Sequence, residues 1–255
     1  MVSTSPVSLP AVHRARDRFI TRNDRIQTCH SFSFGAHYDP TNTHFGLLIA
    51  HNDELVAAGA GYDDHPHRDT EIVTWVVDGT LVHRHAPDRT ELLAPGSVQR
   101  LSAGAGIVHS EHNAVTTSDG PAVRFVQMWV VPDTDGGEPT YERADLSSAL
   151  DTGELLVVAS GVPKHAGDRV LGLGQRDAAL HAARLRPGSV VSLPEARFVH
   201  LFVVTGSIHL EDVGVLHTGD AARLGAGGHR VHAGPAGAEV LVWEMHAELG
   251  DRAGR

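Results

Sequence analysis

Residues His65–Arg84, which read HPHRDTEIVTWVVDGTLVHR, contain the strongest fold signal in this chain. Two histidines one residue apart come first, followed by a β-branched apolar run and then by Asp78-Gly79, a pair typical of tight β-turns. This pattern predicts two strands joined as a β-hairpin. Side chains two apart on a strand face the same side, so His65 and His67 are predicted to point the same way.

Short apolar runs separated by turn residues continue along the chain. Many short strands of this kind predict an all-β fold, a barrel or a sandwich. Short helices are predicted at Asp145–Leu150 and Asp177–Leu185. The predicted strands are Phe45–Ala50, Leu55–Ala58, Glu71–Val77, Thr80–His83, Ser97–Leu101, Val123–Val131, Ser189–Leu193, Arg197–Val204, Ile208–Glu211 and Glu239–Trp243.

The two halves of the chain resemble each other. TWVVDGTL (Thr74–Leu81) is similar to LFVVTGSI (Leu201–Ile208), and LSAGAGIVH (Leu101–His109) aligns without a gap to LGAGGHRVH (Leu224–His232). A polar stretch, Pro132–Thr140, separates the halves. The repeat predicts two similar barrels packed together. The predicted divisions are residues 1–137, residues 138–250 and a tail of residues 251–255.

Composition excludes several classes of function. The 255 residues carry 21 Lys and Arg against 31 Asp and Glu, a net charge of -10, which disfavours direct binding to nucleic acid. No apolar run approaches the roughly 18 residues of a membrane helix, and the N-terminal sequence lacks the pattern of a secretory signal. The single cysteine, Cys29, excludes an intramolecular disulfide. A cytoplasmic protein is expected.

A second pair of candidate ligands, His109 and Glu111, repeats the spacing of His65 and His67. If the two segments are neighbouring strands, four side chains meet as three imidazoles and one carboxylate. This mixed nitrogen and oxygen set suits Fe(II), Mn, Ni, Cu or Zn, and such sites keep positions open for water or substrate.

The spacing of glycines around these pairs resembles the two cupin motifs. Gly59, Glu71 and Gly79 accompany the first pair, although Gly79 comes one residue late. Gly106 and Asn113 flank the second pair, whereas Gly104 and Val98 stand where the second motif has a proline and a glycine.

Four segments together resemble the pirin family, whose members consist of two tandem cupin barrels (double-stranded β-helices or jelly rolls). The match is specific in the first half and extends to the second half in layout only. It implies one divalent metal in the N-terminal barrel, Fe(II) before Mn, Ni, Cu or Zn, held by His65, His67, His109 and Glu111. The segments are HSFSFGAHYDP (His30–Pro40), His65–Arg84, PGSVQRLSAGAGIVHSEHN (Pro95–Asn113) and VQMWVVP (Val126–Pro132).

The choice of carboxylate ligand rests on the resemblance. Many cupins use the glutamate of the first motif, here Glu71, whereas pirins use the second, here Glu111. We therefore expect Glu111 to bind the metal. Glu71 is expected to be structural, or to accept a hydrogen bond from a ligand histidine and so orient its ring. Asn113 shares the face of His109 and either supports the site or begins a turn.

Other polar residues are assigned to the surroundings of the site. Arg68 and Gln127 are expected near the mouth of a substrate pocket, although Gln127 equally suits a hydrogen bond within the barrel wall. His83 and His85 are expected to face solvent. The second barrel is expected to lack metal, because His232 matches His109 while Ser192, Pro194 and Gly234 stand opposite the other three ligands.

Two functions follow from the resemblance. The first is a metal-dependent dioxygenase that cleaves a flavonol such as quercetin with O2, with Glu111 as the catalytic base and ring opening that releases carbon monoxide. The alternative is a non-catalytic, redox-sensing regulator that binds a protein partner through its C-terminal barrel. A monomer is expected in either case, and a different cupin enzyme such as a sugar isomerase fits the motifs less well.

Overall fold

A computed structural model of the chain describes residues 10–85, 89–168 and 171–251. Within these ranges the regular secondary structure is almost entirely β, with strands in three sheets, one α-helix, Ser147–Leu150, and 3-10 turns at Ala15–Asp17 and Pro163–His165. The strands are β1 Ala11–His13, β2 Phe19–Arg22, β3 Ile26–His30, β4 Leu48–Val56, β5 Gly61–His67, β6 Glu71–Asp78, β7 Leu81–His85, β8 Arg89–Leu93, β9 Ser97–Ser102, β10 Ile107–Asn113, β11 Val123–Val130, β12 Thr140–Asp145, β13 Leu156–Ser160, β14 Leu171–Gly172, β15 Ala178–Leu185, β16 Val190–Ser192, β17 Phe198–Leu210, β18 Gly214–His217, β19 Ala221–Leu224 and β20 Arg230–Met245.

The first barrel is formed by a seven-stranded and a four-stranded sheet. Their strand orders are β12-β9-β6-β11-β4-β3-β2 and β5-β10-β7-β8. The predicted turn at Asp78-Gly79 is present, with Gly79 at a φ of +75°. The predicted hairpin is wrong, because β6 pairs with β9 and β11 while β7 pairs with β10 and β8. The turn carries the chain from one wall of the barrel to the other.

The second barrel is a single nine-stranded sheet. Two long strands, β17 and β20, run through it and bend at register shifts. The short helix predicted near Leu150 is confirmed, but the helix predicted at Asp177–Leu185 is wrong, since this segment is β15 between β13 and β20. All its residues except Arg184 are buried. Its small alanines fit a strand covered on both faces, and this packing overrides the helical preference of alanine.

The two barrels pack against each other through a shared hydrophobic cluster, and a strand near each chain crossing pairs with the other half. β1 pairs with β19 of the second barrel, and β12 pairs with β9 of the first. Trp75 Nε1 donates to Glu239 Oε1 at 2.8 Å, and the ring of Trp243 packs at Met128. The division at residues 137 and 138 stays a prediction. Of the predicted tail, only Asp251 lies within the described residues.

No helix in the described ranges is both long enough and apolar enough to span a bilayer.

Candidate metal centre

Three predicted ligands meet on two paired strands of the first barrel. His65 on β5 lies opposite His109 on β10, and His67 lies opposite Ile107. The ring centroids are 4.4 Å apart for His65 and His109, 4.9 Å for His65 and His67, and 4.7 Å for His67 and His109. One nitrogen from each ring lies within 4.8 Å of the other two.

The free nitrogens of these rings fit a metal ion. His65 Nδ1 lies 2.8 Å from the carbonyl oxygen of Asp63, which leaves Nε2 free for a ligand bond. The Nε2 atoms of His67 and His109 are buried without a hydrogen-bond partner. A buried polar atom of this kind is rare in a folded protein unless a metal, water or substrate satisfies it. Burial lowers the pKa of His67 to about 4 and that of His109 to about 2, so both rings are neutral, the form that binds metal, at pH 7.

Glu111 follows His109 on β10 after a register shift in the pairing with β5. Its Oε2 accepts a hydrogen bond from Gln127 Nε2 at 2.8 Å, and its Oε1 accepts a longer one from Gln99 Nε2 at 3.4 Å. Burial raises the pKa of Glu111 to about 7. A carboxylate oxygen of Glu111 and ring nitrogens of His109 and His83 lie within 4.8 Å of one another.

His83 and His85 are buried, so the prediction that they face solvent is wrong. Because β7 pairs with β10 in the four-stranded sheet, the alternate side chains His83 and His85 turn inward. His83 Nε2 lies 2.7 Å from His109 Nδ1, and both rings stack with Tyr141. A partner on the second nitrogen of a ligand histidine fixes the ring orientation and the tautomer.

A cavity of about 390 Å³ opens beside these side chains. Its volume falls within the range typical of small-molecule sites. Its apolar walls include Phe34, Phe125 and Trp129, while polar atoms come from His65, His67, Glu54, Tyr62, Glu111 and Gln127.

Glu54 and Tyr62 line the cavity but were missed by the sequence analysis. The carboxylate of Glu54 accepts hydrogen bonds from Thr28 Oγ1 at 2.5 Å and from the Tyr62 hydroxyl at 2.7 Å. Burial raises the pKa of Glu54 to about 7. The sequence does contain a sign of its position. Glu54 is separated from Ala50 and Val56 by even numbers of residues on β4, so it faces the interior with them.

Of the remaining predicted site residues, only Gln127 lines the cavity. Gln127 also accepts a hydrogen bond from Trp129 Nε1 at 3.1 Å. Glu71 accepts hydrogen bonds from Ser102 Oγ at 2.8 Å and from the Gly174 amide at 3.1 Å, so it ties the two halves together.

Asn113 and Arg68 are directed elsewhere. Asn113 donates to the carbonyl oxygens of Val56 and Pro121 and thereby braces a turn. Arg68 is exposed, lies 3.4 Å from Asp69, and is outside the lining of the cavity.

In the second barrel, the strand register corrects one alignment. His232 pairs with Val190 as His109 pairs with His65, and Arg230 pairs with Ser192 as Ile107 pairs with His67. Val190 and Ser192 therefore replace Ser192 and Pro194 as the counterparts of His65 and His67. The shift arises because the second barrel has two extra residues before its Gly206 bend. At Gly234, a Cβ atom would lie 2.2 Å from Ser207 Oγ and 2.9 Å from the Ser207 carbonyl oxygen, so a ligand side chain there would require both to move.

The fold and these donors define a two-barrel cupin protein with a candidate metal centre in its first barrel. A family model described as Pirin matches residues 12–130, and the chain belongs to the pirin family. A Mycobacterium tuberculosis protein named "Putative quercetin 2,3-dioxygenase" is 47% identical over 242 residues, which cover 95% of this chain and 97% of that protein.

Two matches from Escherichia coli, one by sequence and one by structure, extend the comparison. A protein of strain K12 named quercetin 2,3-dioxygenase is 36% identical over 132 residues, covering 52% of this chain and 56% of that protein. The crystal structure of bacterial pirin YhhW in complex with nickel(II) superposes with a TM-score of 0.84 at 29% identity, covering 94% of this chain and 100% of the other.

Proposed function

We propose that this protein is a metal-dependent dioxygenase that cleaves flavonols such as quercetin with O2. The observation that carries the proposal is the pair of unpartnered, buried Nε2 atoms of His67 and His109 at a cavity with apolar walls. The names of the relatives in Mycobacterium tuberculosis and Escherichia coli support the same chemistry.

His65, His67, His109 and Glu111 would hold one divalent ion, with Fe(II) favoured by the family resemblance. The nickel(II) complex of the E. coli pirin supports a divalent transition metal at this centre. When bound, such an ion acts as a Lewis acid that lowers the pKa of a hydroxyl group on the substrate.

Glu111 is the residue that would receive the proton of the flavonol hydroxyl. Its Oε2 is engaged by Gln127 at 2.8 Å, whereas Oε1 has only the long contact to Gln99. Oε1 is therefore the freer atom for accepting a proton. A general base in this position contributes roughly 10²- to 10⁴-fold to the rate.

The cavity walls would bind and orient the flat ring system. Phe34 and Trp129 meet edge to face with centroids 5.1 Å apart and form one apolar surface. Phe125 adds a further apolar contact. Glu54 and Tyr62 offer polar atoms to the substrate's hydroxyl groups.

The test is an oxygen-uptake assay with quercetin on protein purified anaerobically and loaded with Fe(II). The His65→Ala/His67→Ala double variant should hold one iron fewer per chain than wild type and lose O2 uptake. The His232→Ala variant, which removes the matching histidine of the second barrel, should retain both. The dioxygenase proposal fails if fully loaded wild type consumes no O2 with any flavonol.

A further inference from the structure

A second cluster of metal-ligating side chains lies in the second half of the chain, on β15, β20 and the turn Pro163–His165. At its centre is Glu244 on β20, whose side chain is fully buried. Glu244 Oε2 lies 2.8 Å from His181 Nε2 and 3.4 Å from His165 Nε2. Its Oε1 lies 2.6 Å from His246 Nε2 and 2.6 Å from Lys164 Nζ.

The spacing of these donors is close to that of a tetrahedral metal site. One nitrogen of His165, one of His181 and one oxygen of Glu244 lie within 4.8 Å of one another. With metal–ligand bonds of about 2.0–2.1 Å, neighbouring ligand atoms in a tetrahedral site are about 3.3 Å apart. The contacts of 2.8 and 3.4 Å in this cluster differ from that value by a few tenths of an ångström.

We propose that His165, His181 and Glu244 form a second binding site for a divalent transition metal ion of the zinc type, with His246 as a further donor. Two or three imidazoles and one carboxylate suit zinc, nickel, copper or cobalt. These residues are not the counterparts of the ligands proposed in the first barrel. The expectation of a metal-free second barrel rested on those counterparts alone. The proposal goes beyond the dioxygenase function and does not depend on it.

Asp168 provides an independent indication of a metal site. Its Oδ2 lies 3.4 Å from His165 Nδ1, on the ring edge opposite the nitrogen that approaches Glu244. Metal-binding histidines commonly have a carboxylate on their second nitrogen, which orients the ring and increases its basicity.

Lys164 explains how the cluster is stable without a metal. A buried carboxylate requires a cation or several hydrogen-bond donors, and the Lys164 ammonium provides that charge. The Lys164 side chain is 52% exposed, so it can move into solvent at little cost when a metal ion takes its place. In this proposal Lys164, the only lysine of the chain, competes with the metal.

Zinc titration of full-length variants tests the proposal, with bound zinc measured by elemental analysis after dialysis. The His65→Ala/His67→Ala variant, which removes two of the four proposed ligands of the first centre, should still bind one zinc per chain. Adding His181→Ala to it should abolish that zinc, whereas adding His232→Ala should not. Adding Lys164→Met instead should tighten binding roughly five- to tenfold, because a half-exposed competing ion pair is removed.

Two results would overturn the proposal. The first is that His65→Ala/His67→Ala binds no zinc, which would make the cluster a purely structural ion network around Glu244. The second is that the remaining zinc persists after His181→Ala. If His181→Ala does not fold, His165→Gln on the short 3-10 turn replaces it and should likewise abolish binding. Because O2 uptake is not measured, the result is independent of the proposed function.

Discussion

The two barrels follow one plan but fill their interiors differently. The interior of the second barrel is packed with aliphatic side chains, among them Leu201, Val203 and Val240. The first barrel has a smaller apolar cluster around Phe125, and the rest of its interior is the cavity with histidines and carboxylates. The same barrel fold therefore accommodates either a packed apolar core or a polar cavity. The residues that fill the barrel can differ without a change of fold.

The register shows how few positions separate the two interiors. His109 is flanked by His65 and His85, whereas His232 is flanked by Val190 and His209. His232 Nε2 is also engaged, 2.7 Å from Glu211 Oε1, while His109 Nε2 has no partner. His232, with its Nε2 engaged and its side chain 37% exposed, does not form such a group, whereas the three histidines of the first barrel form a candidate site.

The largest expected effect comes from Glu111→Gln, which neutralises the carboxylate of the first barrel without changing its size. The amide can still accept the hydrogen bond from Gln127, so the barrel should fold and hold part of its metal. The amide cannot accept the substrate's proton, so turnover should fall roughly 10²- to 10⁴-fold. Rates are compared per bound metal ion, from parallel O2-uptake and elemental measurements.

If Glu111→Gln turns over at the wild-type rate with full metal occupancy, another residue must be the catalytic base. Glu54, the other cavity carboxylate with a raised pKa, would then be tested as the proton acceptor.

Glu54→Gln should change how stability depends on pH. Burial raises the pKa of Glu54 from 4.5 to about 7, so the native state holds its proton more tightly than the unfolded chain does. The stability this residue contributes is fully present below pH 4.5 and is lost as pH rises through about 7. Glutamine does not titrate, so the variant should gain roughly 2–4 kcal/mol over wild type between pH 4.5 and 8. Urea unfolding across this range measures the difference.

Glu211→Gln in the second barrel is the matched control for that experiment. Glu211 is only partly buried, and its hydrogen bond with His232 lowers its pKa. Its contribution to stability is present at neutral pH and is lost as pH falls, so the sign is opposite to that of Glu54. If both variants respond to pH in the same direction, the contrast between a buried and a partly exposed carboxylate is wrong.

His83→Phe should weaken metal binding in the first barrel without removing a ligand. Phenylalanine keeps the stacking with Tyr141 but loses the Nε2 atom that contacts His109 Nδ1 at 2.7 Å. Loss of such an orienting partner typically lowers metal affinity about 10- to 100-fold. Competition with a chelator gives the affinity, and His83→Gln, which keeps a polar group, should restore part of it. His209→Phe, next to His232, should leave it unchanged.

The candidate ligands could be paired from the sequence because their spacing is local. Residues two apart share a strand face wherever the strand goes, so His65 with His67, and His109 with Glu111, were identifiable as pairs. Which strands become neighbours depends on tertiary pairing, and that is why the hairpin at Gly79 and the exposure of His83 were predicted wrongly. The alanine-rich β15 was missed for a related reason, since its burial on both faces is not local information.

Arg68→Ala should have the smallest effect, although Arg68 directly follows the ligand pair in sequence. Its side chain is 69% exposed and pairs at 3.4 Å with Asp69, a surface contact that contributes little. The residue also lies outside the cavity lining, beside Pro66 and Val108. We therefore expect the KM for quercetin to change less than about threefold, a difference within 1 kcal/mol.

Gln127→Leu, which alters a cavity residue, should raise KM or lower kcat more strongly in the same assay. A tenfold rise in KM for Arg68→Ala would instead show that the arginine folds over the mouth and contacts the substrate, as its position after His67 first suggested.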